Sequence, residues 1–171
     1  MSSSSGNRIT KDRVPENFSL PLCIVDFVPV IFFGLSCVVA GRIIRSPLFV
    51  LGAAICLVSG AIKVFWKILV VVKKKNVWPL FIQMRIAMPI GFLIMIVSFA
   101  VGFGSVDFPT IFHRAILFPQ IVFFIIGLTG MALMCSFVVL LDSSDLRANW
   151  VEQITNSISQ ISFFVGLLFL L

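Results

Sequence analysis

The stretch from Leu48 to Val72, LFVLGAAICLVSGAIKVFWKILVVV, is long enough to cross a membrane and yet contains two lysines. A bilayer core of about 30 Å needs about 20 mainly apolar residues at a rise of about 1.5 Å per residue. At about 100° per residue, small residues and both lysines fall within about 80° of arc: Gly52, Cys56, Gly60, Lys63 and Lys67. One face of this helix is therefore expected to pack closely against a neighbour and to present two ammonium groups.

Composition places the chain among polytopic membrane proteins. The 171 residues are 60% hydrophobic and 12% charged, whereas soluble domains average about 45–50% apolar and about 25% charged residues. The basic residues lie at helix ends and in short loops, so orientation in a membrane explains the net charge of +6 better than nucleic-acid binding does. The cysteines lie in apolar runs without a CxxC or Cys/His grouping and are interpreted as small core residues: Cys23, Cys37, Cys56 and Cys135.

The hydrophobic pattern predicts an all-α bundle of five transmembrane helices. Residues 1–18 are expected to form a flexible or interfacial tail, and residues 19–171 a single transmembrane domain. The predicted spans are residues 19–41, 48–72, 78–104, 117–141 and 151–171. The fifth span ends in an apolar run, Ile161 to Leu171, of only about 16 Å, so it crosses only if its polar first half packs inside the bundle. The alternative is a half-inserted or re-entrant final segment.

The segments between and within the spans carry weaker signals. Residues 105–114 are expected to form a short connection that Pro109 breaks, with His113 solvated at the interface. Residues 142–150 are expected to form a polar loop in which Ser143, Ser144 and Asp145 can cap the helix that follows. Small residues in the fourth predicted span indicate a packing face: Gly127, Gly130 and Ala132.

The distribution of basic residues predicts the orientation. With five spans, one side carries seven Lys or Arg residues and the other carries three, Arg42, Arg45 and Arg114. The seven include Lys73, Lys74 and Lys75, a run typical of a stop-transfer signal and of contact with anionic lipids. The bias predicts a cytoplasmic N-terminus and a C-terminus on the opposite side of the membrane.

Polar residues within the predicted spans fall at a similar depth. Counted from the cytoplasmic ends, all of them lie in the first or last turns of their spans: Asp26, Lys63, Lys67, Gln83, Arg85, Glu152, Asn156 and Gln160. The outer halves of the spans are almost purely apolar. The sequence therefore predicts a polar site in the cytoplasmic leaflet.

Charges in this layer are expected to be paired, because an isolated buried charge costs several kcal/mol. We expect pairs such as Asp26 with Arg85 and Glu152 with a lysine, although the sequence does not determine which pairs form. The residues Glu152, Asn156 and Gln160 repeat every fourth position and should face the lysines. Each of these residues also has a purely structural interpretation. The lysine and arginine side chains can extend to the lipid headgroups, and the amides of Asn156 and Gln160 can form hydrogen bonds between helices.

Three classes of function follow from this layer. The preferred hypothesis is transport or binding of a small anionic solute or lipid headgroup, with proton coupling through a carboxylate. The alternative is a structural or regulatory membrane subunit whose charges form dry ion pairs. A lipid-modifying enzyme is the third, but no GxSxG, HExxH or His-rich motif occurs. We therefore predict no catalytic residue, metal ligand or cofactor. The expected partners are lipids, including anionic lipids, and a second copy or another membrane subunit, but no nucleic acid.

Overall fold

The computed structural model describes residues 19–102, 106–141 and 145–171, all of them helix, turn or connection. The expected tail, residues 1–18, lies outside these ranges, as do residues 103–105 and 142–144. The described helices are α1 (Leu20–Val25), α2 (Phe27–Ile44), α3 (Pro47–Lys73), α4 (Trp78–Gly102), α5 (Phe108–Ala115), α6 (Gln120–Leu140) and α7 (Leu146–Leu168). The predicted all-α class is confirmed.

Within the described residues, four helical segments are long and apolar enough to cross a membrane: α1 together with α2, then α3, α4 and α6. The remaining long helix, α7, has 23 residues and measures about 34 Å, which is also enough to cross. Although α7 is more polar, it packs against both α2 and α6. Its polar first half therefore lies inside the bundle, as a fifth crossing requires.

The helices pack side by side in the order α4, α3, α2, α7, α6. Helix α3 runs antiparallel to both of its neighbours. Helix α7 runs parallel to α2. Two contacts show this direction: Glu152, near the start of α7, interacts electrostatically with Asp26 at the start of α2, and further along both helices the Phe32 and Phe164 rings lie 5.6 Å apart. We call the end at which α3 ends and α4 begins, marked by Lys73, Lys74 and Lys75, the lysine-rich end.

The first crossing is broken between α1 and α2 at Asp26. The cause is Pro29, whose ring in a continuous helix would clash with the carbonyl of Val25, four residues earlier. Asp26 occupies the N-cap position of α2, but its side chain makes no capping hydrogen bond. Its carboxylate is therefore available to another helix.

Glycine allows α3 and α4 to approach closely. A Cβ added to Gly52 would lie 2.6 Å from the Gly91 carbonyl oxygen, and one added to Gly91 would lie 2.8 Å from the Gly52 carbonyl oxygen. The predicted small-residue face of α3 is thus the face that packs against α4. On α6, Gly127 lies against Phe163 and Gly130 against Ser159, both on α7. These glycine faces are covered within the bundle.

Several local predictions were wrong. Ala132 is exposed, because it lies on the side of α6 that faces away from α7. Cys135 is exposed as well, whereas Cys23 and Cys56 are buried as expected.

Two predicted connections also differ from the structure. Pro109 does not break the connection but lies in the first turn of α5, where proline is favoured, after the Asp107 cap. The loop before the last helix is shorter than predicted: α7 begins at Leu146 because Asp145 accepts a hydrogen bond from the Arg147 amide, at 3.0 Å.

Candidate functional site

A cavity of about 190 Å³ lies between α2, α3, α4 and α7. Most of its wall is apolar, including the rings of Phe33 and Phe92, whose centroids are 6.1 Å apart. The polar groups that line it are Asp26, Lys63, Asn156 and Gln160. Four of the eight predicted site residues therefore share one cavity.

The cavity lies near the middle of the bundle. Gly60, one of its lining residues, is the middle residue of α3, and Asn156 and Gln160 flank the middle of α7. Along these two helices the cavity is thus level with their midpoints. The reason is that α7 begins at Leu146 instead of Val151, which moves its amide side chains further from the lysine-rich end.

Asp26 and Lys67 form an ion pair beside the cavity. The Lys67 Nζ lies 2.5 Å from Asp26 Oδ2, and both side chains are only 6% exposed. The break between α1 and α2 leaves the Asp26 carboxylate free for this contact. The expected pairing of Asp26 with Arg85 was wrong, because Lys67 occupies that position.

Lys63 and Glu152 complete a cluster of two cations and two anions. Each of these two residues interacts electrostatically with the other and with both members of the Asp26–Lys67 pair. Both are half-buried. Within the described residues, Lys63 has no carboxylate oxygen within 4 Å. Its ammonium group is therefore the cation of the cavity that is not in a direct ion pair.

Gln83 and Arg85 do not line the cavity. Gln83 joins α4 to α3: its amide donates to the Ser59 carbonyl oxygen and accepts from the Ser59 hydroxyl, both at 3.1 Å. Arg85, two residues later and about 200° around the helix, is exposed on the outer surface of α4. Its guanidinium lies 4.9 Å from the centroid of the Phe81 ring.

Sequence reasoning missed residues that shape the site. Ser59, only 1% exposed, lies one turn before Lys63 on the small-residue face, so the helical period could have found it. Trp66 is equally buried and donates from Nε1 to Asn76 Oδ1, at 3.2 Å. Nothing in the sequence distinguishes the cavity phenylalanines, Phe33 and Phe92, from the other 17.

The fold and the site define a helical membrane protein whose bundle encloses a small, mainly apolar cavity with four polar side chains in its wall. Among the described residues, no group of three or more His, Cys, Asp or Glu side chains could hold a metal ion. Comparison with protein-family models, with curated proteins and with solved structures gave no match.

Proposed function

We propose that this protein binds a small anionic solute in the mid-bundle cavity and carries it across the membrane. The observation that carries the proposal is the position of Lys63. This lysine lines the cavity without an ion-pair partner within 4 Å in the described chain, while Lys67 is paired with Asp26. The amide groups of Asn156 and Gln160 add donors on the facing helix.

The size of the cavity limits the solute. Pockets for drug-sized ligands measure about 300–1,000 Å³, and this one measures about 190 Å³. A tetrahedral oxyanion or a carboxylate of a few carbon atoms is the class that fits. Apolar walls around the lysine strengthen its attraction for such an anion, since the local dielectric constant is low.

Glu152 supplies a means of proton coupling. With both carboxylates ionised, the cluster of Asp26, Lys63, Lys67 and Glu152 has no net charge. A proton on Glu152 gives the cluster a charge of +1, and anion binding then becomes more favourable. The solute and the proton would accordingly bind together, with Glu152 as the proton acceptor.

A broken first crossing and a proline within α4, both beside the cavity, favour transport over binding alone. Pro29 lines the cavity just after the break at Asp26, and Pro89 interrupts the hydrogen bonding of α4 next to Met88, another lining residue. Discontinuous helices at mid-membrane binding sites are common in transporters. In this proposal the lysine-rich end faces the cytoplasm, on the basis of the charge bias.

Anion titration of the purified protein in nanodiscs tests the proposal. Phosphate, sulfate, acetate and succinate would be titrated by calorimetry at two pH values. We expect saturable binding of at least one anion and a loss of about tenfold or more in Lys63→Gln, since a charge-assisted contact contributes about 1.5–3 kcal/mol. Lys73→Gln, an exposed lysine at the end of the same helix, is the matched control and should bind normally. Absence of saturable binding, or equal binding by Lys63→Gln, would refute the proposal.

A structural or regulatory membrane subunit is the second candidate. The burial of Asp26 and Lys67, 4% and 5% exposed, favours it, because a dry ion pair can fix the register of two helices. This candidate predicts that water does not reach Asn156. It also predicts that the protein copurifies in a fixed ratio with a second copy or with another membrane protein.

A further inference from the structure

Arg85 lies outside the cavity, on an aromatic platform that the surrounding residues hold in place. Its guanidinium lies over the ring of Phe81, which is only 6% exposed. The Phe81 ring contacts the rings of Trp66 and Trp78, with centroids 4.9 Å and 5.2 Å away. Hydrogen bonding of Trp66 to Asn76 fixes the platform further.

This geometry directs the guanidinium towards the lysine-rich end. Phe81 lies one turn closer than Arg85 to the start of α4 at Trp78, so the side chain extends along the helix towards the interface. The contact with the Phe81 ring, 4.9 Å from Cζ to the centroid, is a cation–π contact and uses none of the five N–H donors of the guanidinium in a hydrogen bond. At this end of the bundle, next to Lys73, Lys74 and Lys75, lipid headgroups are the expected acceptors.

The surroundings indicate which acceptor these donors meet. Arg85 is exposed on a helix whose nearby outer residues are also exposed and apolar, with Ile86 59% and Leu93 60% exposed. A planar fork of N–H donors matches the two oxygens of a phosphate. Lys73, Lys74 and Lys75 are all exposed at the same end. Their positive potential favours a headgroup with net negative charge over a zwitterionic one.

We propose that Arg85 and its aromatic platform form a binding site for the phosphate of an anionic phospholipid, whose acyl chains lie along the apolar outer face of α4. This site is separate from the cavity and from the solute proposed to bind there. The aromatic platform gives the arginine a fixed position, so the contact is more selective than general attraction to a charged membrane.

Native mass spectrometry of the full-length protein with added lipids tests this site. Phosphatidylglycerol should bind more tightly than phosphatidylcholine. Arg85→Gln should weaken phosphatidylglycerol binding about five- to tenfold, the change expected when one basic contact to a lipid headgroup is removed, and should leave phosphatidylcholine binding nearly unchanged. Arg85→Lys should fall between the two, since lysine keeps the charge but not the planar fork.

Two further variants separate a built site from general attraction. Phe81→Leu should weaken phosphatidylglycerol binding while retaining every charge. Arg42 is an exposed arginine at the other end of the bundle, so the Arg42→Gln variant should bind the lipid normally. Thermal unfolding would verify that each variant is folded. Unchanged binding by Arg85→Gln, or an equal loss in Arg42→Gln, would overturn the proposal. Displacement of phosphatidylglycerol by millimolar inorganic phosphate would also overturn it. So would the finding that Arg85 is needed to bind another protein instead of a lipid.

Discussion

Lys67 of α3 and Asp26, at the break between α1 and α2, meet through a 2.5 Å contact between Nζ and Oδ2, almost completely shielded from solvent. The contact requires two sequence features that lie far apart. Pro29 breaks the first crossing at Asp26, whose carboxylate makes no capping hydrogen bond to the helix. The helical period of α3 places Lys67 on the face that lies against this carboxylate. A proline and a lysine 38 positions apart in the chain thus act on one ion pair.

Removing both partners of this pair should destabilise the protein by less than the sum of the two single removals. Lys67→Met leaves a buried carboxylate without a counter-charge, and Asp26→Asn leaves a buried ammonium group. Each should cost about 3–5 kcal/mol, and the double variant should cost less than the sum of the two. Denaturant unfolding in detergent measures these values. Strictly additive losses would show that the pair contributes no coupling energy.

The close crossing of α3 and α4 should be sensitive to a single methyl group. Gly52→Ala puts a Cβ 2.6 Å from the backbone carbonyl oxygen of Gly91, so the helices must separate at a cost of about 1–3 kcal/mol. Gly41→Ala is the matched control, because its Cβ would meet Val50 at an ordinary 3.5 Å. The difference in thermal unfolding midpoint between the two variants checks the prediction. A midpoint for Gly52→Ala equal to that of Gly41→Ala would contradict it.

Water should reach Asn156 but not Ser159. With the four native cysteines replaced, a membrane-impermeant thiol reagent should label Asn156→Cys, which lines the cavity. It should label Ser159→Cys far more slowly, because Ser159 is completely buried against Gly130. The two positions are one turn apart on the same helix, so a difference between their labelling rates reports how far water reaches each side chain and not how easily the reagent reaches α7. Equal, slow labelling at both positions would favour a dry core and the structural-subunit candidate.

The cap of α5 should respond to pH. Hydrogen bonds from Thr110 lower the pKa of Asp107 from its ordinary value of 3.8. Because the pKa is lower in the folded state, the cap stabilises α5 above pH 3.8, and this contribution is lost as the pH falls through the lowered pKa. Carboxyl NMR should show Asp107 titrating below 3.8 and should show α5 fraying only as that titration proceeds. A titration at or above 3.8 would disprove the cap.

The depth of each polar residue was easier to predict than its direction. Apolar run lengths predicted the ends of the spans to within about five residues of the helix ends in the structure. The helical period placed Lys63 on the same face of α3 as Cys56 and Gly60, and all three line the cavity. Gln83 and Arg85 were assigned to the same site from depth alone. They are two positions apart, which places them about 200° apart on a helix, so the sequence already contained the reason that they cannot share a cavity.

The partner of a charge depends on tertiary packing that the sequence does not encode locally. Asp26 could have met any of three basic residues at a similar depth. The choice of Lys67 follows from the order in which the helices pack, with α3 between α2 and α4. Likewise, Phe33 and Phe92 became cavity walls only because α2 and α4 both pack against α3, which brings the two rings to a centroid distance of 6.1 Å.

Helix α7 has consequences for how the protein is made. Its buried face carries Asn149, Gln153, Ser159 and Ser162, and each polar group of this kind opposes transfer of an isolated helix from the translocon into lipid. A fifth crossing by α7 would therefore need α2 and α6 in the bilayer first, to cover that face. The order of synthesis provides this, because both neighbours leave the ribosome before α7 does. Such a crossing would couple membrane insertion of α7 to its packing against α2 and α6.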